Sequence, residues 1–147
     1  MIQELVKDWM TRNVITIAPD ATLPEAHRLM ADNKIRRLPV VRENNTLIGI
    51  ISRGDVREAE PSDASSLSIW EMNYLLAKLK IDKIMTPDPI TIHAEETIGD
   101  AASRMLSHKI SGLPVVDGNG KLAGIITESD IFRLVVQNWG ITAAGDR

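Results

Sequence analysis

The chain has 147 residues, of which 44% are hydrophobic and 25% charged, and its formal net charge is −3. This composition is typical of a soluble globular protein, whereas proteins that bind polyanions in general usually present a basic face. The chain contains no cysteine, which excludes disulfides and thiolate chemistry, and only 3% of its residues are aromatic, which disfavours a stacking platform for single-stranded nucleic acid.

No stretch approaches the roughly 20 apolar residues that a membrane-spanning helix needs. The N-terminus carries an acidic residue at Glu4 and lacks the basic and apolar regions of a signal peptide. We therefore expect a cytoplasmic protein that binds neither membrane nor nucleic acid.

The first repeated element of the chain is a short β-rich run at residues 14–17, which Pro19-Asp20 stops. Thr22-Leu23-Pro24-Glu25 then has the capping-box pattern that begins a helix, with a proline in the first turn, where proline is tolerated. Residues 38–41 and 47–51 are two apolar strands joined by a polar turn. A second helix is expected to begin near Ser52.

The whole pattern occurs twice. Met10-Thr11 recurs 75 residues later (85 minus 10) as Met85-Thr86, and the same shift relates segments 10–55 and 85–130 without a gap. In the second copy the first helix has apolar residues at helical spacing. They are Ile98, Ala101, Ala102, Met105 and Leu106. The duplication predicts two β-α-β-β-α halves of one α+β fold, related by a pseudo-two-fold axis and packed sheet to sheet.

Between the copies, residues 60–66 indicate an exposed linker, and residues 67–80 indicate an amphipathic helix. Its apolar positions are Leu67, Trp70, Met72, Leu75, Leu76 and Leu79. This helix is either a strut packed on its own half or a surface for dimerisation or partner docking. Residues 142–147 have nothing to pack and are expected to fray.

Each half ends its last strand with Gly-Ile-Ile, followed by a hydroxyl residue, two further residues and an aspartate. The copies run from Gly49 to Asp55 and from Gly124 to Asp130. With the Met-Thr pair and the Leu-Pro-Val-Val segment, this pattern resembles the CBS repeat family over nearly the whole chain, and two copies resemble a Bateman module. The segment 67–76 is also similar to bacterial CBS proteins of the acetoin-utilisation B type, which usually carry a C-terminal ACT domain that this sequence lacks.

The resemblance implies a first CBS repeat at residues 1–60, a linker and helix at 61–80, a second repeat at 81–140 and a tail at 141–147. Independently of the resemblance, the Ser/Thr-x-x-Asp motif contains groups that can bind a ribose and a phosphate. A carboxylate can accept both hydroxyls of a ribose diol, and the start of a helix can bind a phosphate. The same spacing is also that of a helix capping box, and the residues alone leave both interpretations open.

By resemblance, each nucleotide cleft combines residues of both repeats. The first cleft is expected to contain Thr11, Val14, Ile15, Ile35, Arg36, Arg37, Leu38, Pro39, Thr127 and Asp130. The second is expected to contain Ser52, Arg53, Asp55, Thr86, Pro89, Ile90, Ile110, Ser111, Gly112, Leu113 and Pro114. Apolar members would sandwich the adenine. Because Arg36 and Arg37 would lie near the phosphate, the first cleft is expected to bind AMP more tightly than the second, although Glu128 would oppose a phosphate there.

No other motif of the sequence indicates a metal site or a catalytic site. His27, His93 and His108 have no metal-ligand spacing to another histidine and are interpreted as surface residues, so no metal is expected. The sequence has no nucleophile elbow and no phosphate-binding Gly-Lys loop. These absences indicate that the chain is not an enzyme, and the resemblance implies a regulatory homodimer that senses AMP, ADP or ATP, has no catalytic cofactor and acts on an unidentified protein. The alternatives are a dimerisation scaffold with little or no ligand binding, a sensor of S-adenosylmethionine-type ligands and, least supported, a stand-alone enzyme.

Overall fold

The computed structural model describes residues 4–60 and 68–140, which form two compact units. One unit is contiguous in sequence and covers residues 15–89; we call it the contiguous unit. The other combines residues 4–14 with residues 90–140; we call it the split unit. Apart from Glu60, the predicted linker at residues 60–66 lies outside the described residues, as do Leu67 and the predicted tail.

The elements of the described residues follow the chain order expected for a duplicated α+β fold, which confirms the fold class. They are α1 (Val6–Trp9), α2 (Leu23–Asn33), β1 (Arg37–Val41), β2 (Leu47–Ser52), α3 (Arg53–Ala59), α4 (Ile69–Lys78), β3 (Thr86–Pro87), β4 (Ile92–His93), α5 (Ile98–His108), β5 (Gly112–Val116), β6 (Leu122–Thr127) and α6 (Glu128–Trp139), with a 3-10 turn at Ile81–Lys83.

The contiguous unit contains an antiparallel sheet with the order β1-β2-β3. Strand β3 comes from the beginning of the second repeat, and Thr86 pairs with Ile50. The sheet and helices α2 and α3 enclose an apolar core. Its buried members are Ile17, Ala21, Leu23, Ala26, Met30, Leu38, Val40, Ile51, Val56 and Ile81.

The split unit contains a sheet with the order β4-β5-β6, in which β4 is parallel to β5. Here the start of the first repeat joins the second: Thr11 pairs with Ile125, and Val6 of α1 is fully buried in the core. The buried members of this core are Val6, Ile92, Ile98, Ala101, Met105, Leu113, Val115, Ile126 and Leu134.

The two repeats therefore exchange their Met-Thr segments. A Cβ added to Gly124 would lie 2.7 Å from both the Sδ of Met10 and the carbonyl oxygen of Thr11. A Cβ on Gly49 would collide in the same way with the Sδ of Met85. The glycine of each Gly-Ile-Ile segment thus lets the other repeat's methionine approach the strand closely.

Three local predictions need correction. Residues 14–17 were predicted to form a strand, but only Ile17 pairs, in a single parallel bridge with Val40. The chain turns away immediately after Ile17, because the Ala21 N–H donates a hydrogen bond to the Ala18 carbonyl. Helix α2 does begin after Thr22, but the Thr22 hydroxyl bonds the Glu25 carboxylate at 3.4 Å and does not cap the backbone.

The third correction concerns Leu106, which was placed on the buried face of α5 but is 81% exposed. Residues Ile98, Ala101 and Met105 form the buried stripe of this helix. At about 100° per residue, Leu106 lies about 110° from the middle of that stripe, beyond its edge.

Helix α4 packs on the contiguous unit along one side only. Leu76 and Leu79 contact its core, and the Leu23 N–H donates to the Leu79 carbonyl at 3.1 Å. This packing fits a strut. The opposite side leaves Trp70 80% exposed, together with Ile69 and Tyr74.

Candidate functional site

Each unit places a Ser/Thr-x-x-Asp junction between the last strand of a repeat and the helix that follows. In the contiguous unit, the Asp55 N–H donates to Ser52 Oγ at 3.1 Å, and the Ser52 N–H donates to Asp55 Oδ2 at 2.8 Å. In the split unit, Thr127 donates to Asp130 Oδ2 from its N–H at 2.8 Å and from its hydroxyl at 3.2 Å. Both aspartates therefore hold the start of a helix, as the capping interpretation requires.

The two aspartates differ in what remains available to a ligand. Asp130 is only 4% exposed, and its Oδ1 accepts a hydrogen bond from Arg133, one turn later in α6. Asp55 is half-buried, and the position equivalent to Arg133 is occupied by Glu58. No hydrogen bond to Asp55 Oδ1 is formed by the residues that the structure describes. Within the described residues, Asp55 thus has one carboxylate oxygen without a hydrogen bond, whereas both oxygens of Asp130 are engaged.

The exchanged Met-Thr segments lie beside these junctions. Thr11 pairs with Ile125, two residues before Thr127, and Thr86 pairs with Ile50, two residues before Ser52. Both threonines are exposed. The structure thus brings Thr11 next to the Thr127 junction and Thr86 next to the Ser52 junction, the grouping expected from the sequence.

The remaining predicted site residues divide between the units. The contiguous unit contains Ile15, Ile35, Arg36, Arg37, Leu38, Pro39, Arg53 and Pro89; the split unit contains Val14, Ile90, Ile110, Ser111, Gly112, Leu113 and Pro114. Leu38 and Leu113 are fully buried members of their own cores, so their side chains pack inside the unit. The combination of these residues into clefts stays a prediction.

Arg36 and Arg53, which were assigned to different clefts, are neighbours in the contiguous unit. The Arg53 N–H donates to the Arg36 carbonyl at 2.7 Å. Both side chains line a pocket of about 480 Å³ between α2 and α3. The pocket is lined by His27, Met30, Ala31, Lys34, Ile35, Arg36, Arg53 and Val56. His27 and Lys34 were not singled out as site residues, although the spacing 27, 30, 31 and 34 places them on one face of α2.

A bidentate ion pair in the split unit has a structural role. Arg104 donates to both oxygens of Glu96, at 2.9 and 2.5 Å, and to the Thr91 carbonyl at 3.1 Å. The hydrogen bonds from Arg104 lower the pKa of Glu96 to about 2, against the opposing effect of desolvation. This pair ties α5 to the segment around β4.

Within residues 4–60 and 68–140, no group of three or more His, Asp or Glu side chains has a geometry that could hold a metal ion. His93 and His108 are exposed, and His27 Nδ1 lies 3.5 Å from Glu60 Oε1. Among the same residues, no helix is both long and apolar enough to cross a bilayer.

The model of the CBS domain matches residues 6–62 and 81–137, so both repeats are covered. The chain belongs to the CBS domain family. This CBS pair is 38% identical, over 88% of its length, to the homoserine O-acetyltransferase of Methanococcoides burtonii, but it spans only 24% of that enzyme.

Solved structures of other CBS pairs are similar over most of this chain. CBSX2 of Arabidopsis thaliana in complex with AMP has a TM-score of 0.77 and 31% identity, covering 91% of this chain and 97% of that one. The pair of protein MJ0100 in complex with 5′-methylthioadenosine and S-adenosyl-L-methionine has a TM-score of 0.76 and 32% identity, covering 92% and 98%. A Vibrio cholerae protein assigned to acetoin utilization (AcuB) has a TM-score of 0.77 and 32% identity, covering 92% and 93%. The resemblance to AcuB-like CBS proteins is thereby confirmed.

Proposed function

We propose that this CBS pair is a regulatory module that binds an adenosine-containing ligand, with AMP, ADP or ATP as the natural class. The observation that carries the proposal is the Oδ1 of Asp55, which accepts no hydrogen bond from the described residues, in the unit where the exposed Thr86 of the other repeat pairs with Ile50. A carboxylate oxygen in this position can accept hydrogen bonds from a ribose diol, and a threonine hydroxyl can bond a second polar group of the ligand. The AMP complex of the CBSX2 pair supports the same ligand class.

The proposed role is binding without catalysis. The Ser52 hydroxyl accepts the Asp55 N–H, and the Thr127 hydroxyl donates to Asp130, so each hydroxyl serves a helix cap. Ligand binding would regulate a partner only if it favoured one conformation or assembly over another.

S-adenosylmethionine is the second candidate ligand, because the MJ0100 pair binds it together with 5′-methylthioadenosine. It shares the adenosine moiety but lacks a phosphate. Calorimetry with AMP, ADP, ATP, adenosine and S-adenosylmethionine therefore tests the proposal and separates the candidates.

The decisive variant is Asp55→Asn. Asparagine retains an acceptor for the helix cap but loses the carboxylate, so a loss of affinity reports on the ligand contact. Asp100→Asn is the matched control, since Asp100 caps α5 with Thr97 in the same geometry but follows no Gly-Ile-Ile segment. We expect Asp55→Asn to weaken adenosine binding and Asp100→Asn to leave it unchanged. Absence of binding by any of these ligands would overturn the proposal.

We also propose that the module assembles as a homodimer through the split unit. Helix α6 exposes Phe132 and Trp139, at 61% and 75%, together with Val135 and Val136, and Leu106 of α5 belongs to the same unit. Exposed apolar patches of this kind mark interaction surfaces. A dimer provides an assembly whose stability a bound ligand can change.

A further inference from the structure

Helix α4 has a second apolar face, which its packing on the contiguous unit does not use. The partly buried side of the helix is formed by Met72, Leu76 and Leu79. At about 100° per residue, Trp70, Tyr74 and Ala77 lie on the opposite side, again at i, i+4 and i+7. Trp70 is 80% exposed and Tyr74 is 60% exposed. We call these three residues the α4 stripe.

One edge of the α4 stripe carries a charge of each sign. Lys78 lies about 70° and Glu71 about 90° from the middle of the stripe, in the same rotational direction. The Lys78 Nζ lies 4.1 Å from the centroid of the Tyr74 ring and donates to the Tyr74 hydroxyl. From the described residues, the Glu71 carboxylate accepts only the Ser68 N–H, at 3.4 Å. Glu71 and Lys78 are about 10.5 Å apart along the helix axis, so they cannot pair within one helix.

A second α4 helix, placed antiparallel to the first, complements these charges. A two-fold axis beside Tyr74 brings the same edge of both helices together and reverses the order of the residues along it. Glu71 of each copy then lies opposite Lys78 of the other. Trp70 lies opposite the small Ala77 of the second copy, and the two tyrosines meet at the axis. A parallel pair would bring opposite edges together and separate the charges.

We propose that the α4 stripe binds the α4 stripe of a second copy of this chain, as an interface separate from the exposed face of α6. Every contact of such an isologous interface occurs twice. Tryptophan and tyrosine are enriched at protein interfaces. Because α4 is only about 15 Å long, the contact is smaller than the roughly 1,200 Å² of a stable interface, and we expect a dissociation constant of about 100 µM. The inference does not depend on the proposed adenosine binding, since α4 contains none of the predicted nucleotide-site residues.

Sedimentation equilibrium of Phe132→Glu, which disrupts the exposed face of α6, isolates the α4 contact. We expect monomers at about 5 µM and a growing proportion of dimers towards about 500 µM. Trp70→Ala in this background should weaken the association about tenfold, because it removes the largest apolar side chain of the stripe. Leu75→Ala is the matched control, since Leu75 is 50% exposed on the same helix but lies outside the stripe. In the parent, the same contact should join dimers into tetramers over this concentration range.

An exchange of charges identifies the second copy as the occupant. In the Phe132→Glu background, Glu71→Lys places two cations on the edge of the stripe, and Lys78→Glu places two carboxylates there. Each variant alone should associate about tenfold more weakly, because both ion pairs become like-charge contacts. An equimolar mixture should associate as well as the background protein, since each copy then meets the opposite charges. Glu58→Lys, a charge change on the exposed side of α3, should have no effect.

Three results would overturn the inference. They are the absence of association in Phe132→Glu up to about 500 µM, equal weakening by Trp70→Ala and Leu75→Ala, and a mixture of the two charge variants that associates no better than either alone. The last result is expected if a partner protein or another part of the same chain covers the stripe. The inference and the proposed function fail separately. Stripe-dependent association of a protein that binds no adenosine ligand would support the interface and reject the adenosine sensor.

Discussion

Thr11 and Ile125 exchange two backbone hydrogen bonds, each 2.9 Å long, and so join the start of the first repeat to the last strand of the second. The methionine before Thr11 lies against Gly124, which precedes Ile125. The contiguous unit repeats this contact with Met85 and Gly49. The most recognisable motifs of the sequence therefore serve the exchange of segments between repeats.

The first prediction concerns this close approach. Gly124→Ala should lower the free energy of unfolding by about 1–3 kcal/mol, because the new methyl group collides with Met10 and with the Thr11 backbone. Gly118→Ala is the control, since a Cβ there meets no atom within 4 Å. Urea unfolding measures both variants. Equal stability of the two would mean that the approach of Met10 is not tight.

The second prediction concerns acid stability. The pKa of Glu96 is lowered from 4.5 to about 2, so its ion pair with Arg104 contributes stability that is fully present above about pH 5 and is lost as the pH falls towards 2. Glu96→Gln should therefore be less stable than the parent near neutral pH, and the difference should shrink in acid. Glu95→Gln, which removes only an exposed contact with Lys7, should run parallel to the parent. Urea midpoints measured across this pH range decide the matter.

The third prediction concerns the buried carboxylate of Asp130. Arg133→Met should destabilise the protein by about 1 kcal/mol, because Asp130 loses a charged donor while it remains buried. The equivalent substitution in the first repeat, Glu58→Met, removes no such partner and should change stability by less than about 0.5 kcal/mol. Thermal unfolding compares the two. A neutral Arg133→Met would show that the backbone and hydroxyl of Thr127 suffice to hold Asp130.

The fourth prediction concerns assembly. If the exposed face of α6 forms the dimer, Phe132→Glu should shift the parent dimer to monomer in sedimentation velocity experiments, because a charge replaces an apolar contact. Trp70→Glu, an equally drastic change on the exposed side of α4, should leave the dimer intact. A parent that sediments as a monomer, or a Trp70→Glu variant that dissociates as readily as Phe132→Glu, would contradict the proposed interface.

Local patterns in the sequence were sufficient to predict most of the helices and strands. The helix at Ile98–His108 and the strand pairs follow from apolar spacing and turn residues, and the structure contains them. The exchange between repeats could not be predicted in this way. Because Gly49-Ile50 and Gly124-Ile125 are identical pairs, no local preference tells Met10 which of them to contact.

The same distinction between local patterns and distant contacts applies to the candidate sites. Both Ser/Thr-x-x-Asp junctions were visible as motifs, and their capping geometry follows from the spacing. The engagement of Asp130 by Arg133 was missed, although the i, i+3 spacing on a helix was a usable signal. The pocket between α2 and α3 could not be predicted, because it needs these two helices side by side and no single segment contains Lys34 and Arg53 together.

The division into a contiguous and a split unit has a consequence for synthesis. On the ribosome, residues 15–89 can complete the contacts of their unit before translation of residues 90–140 is complete. Residues 4–14 precede that unit in synthesis but have their partners in the segment 90–140, so Val6 and Met10 stay without their native contacts until β6 has been translated. Residues 4–14 are thus the described segment that is translated longest before its native contacts become available.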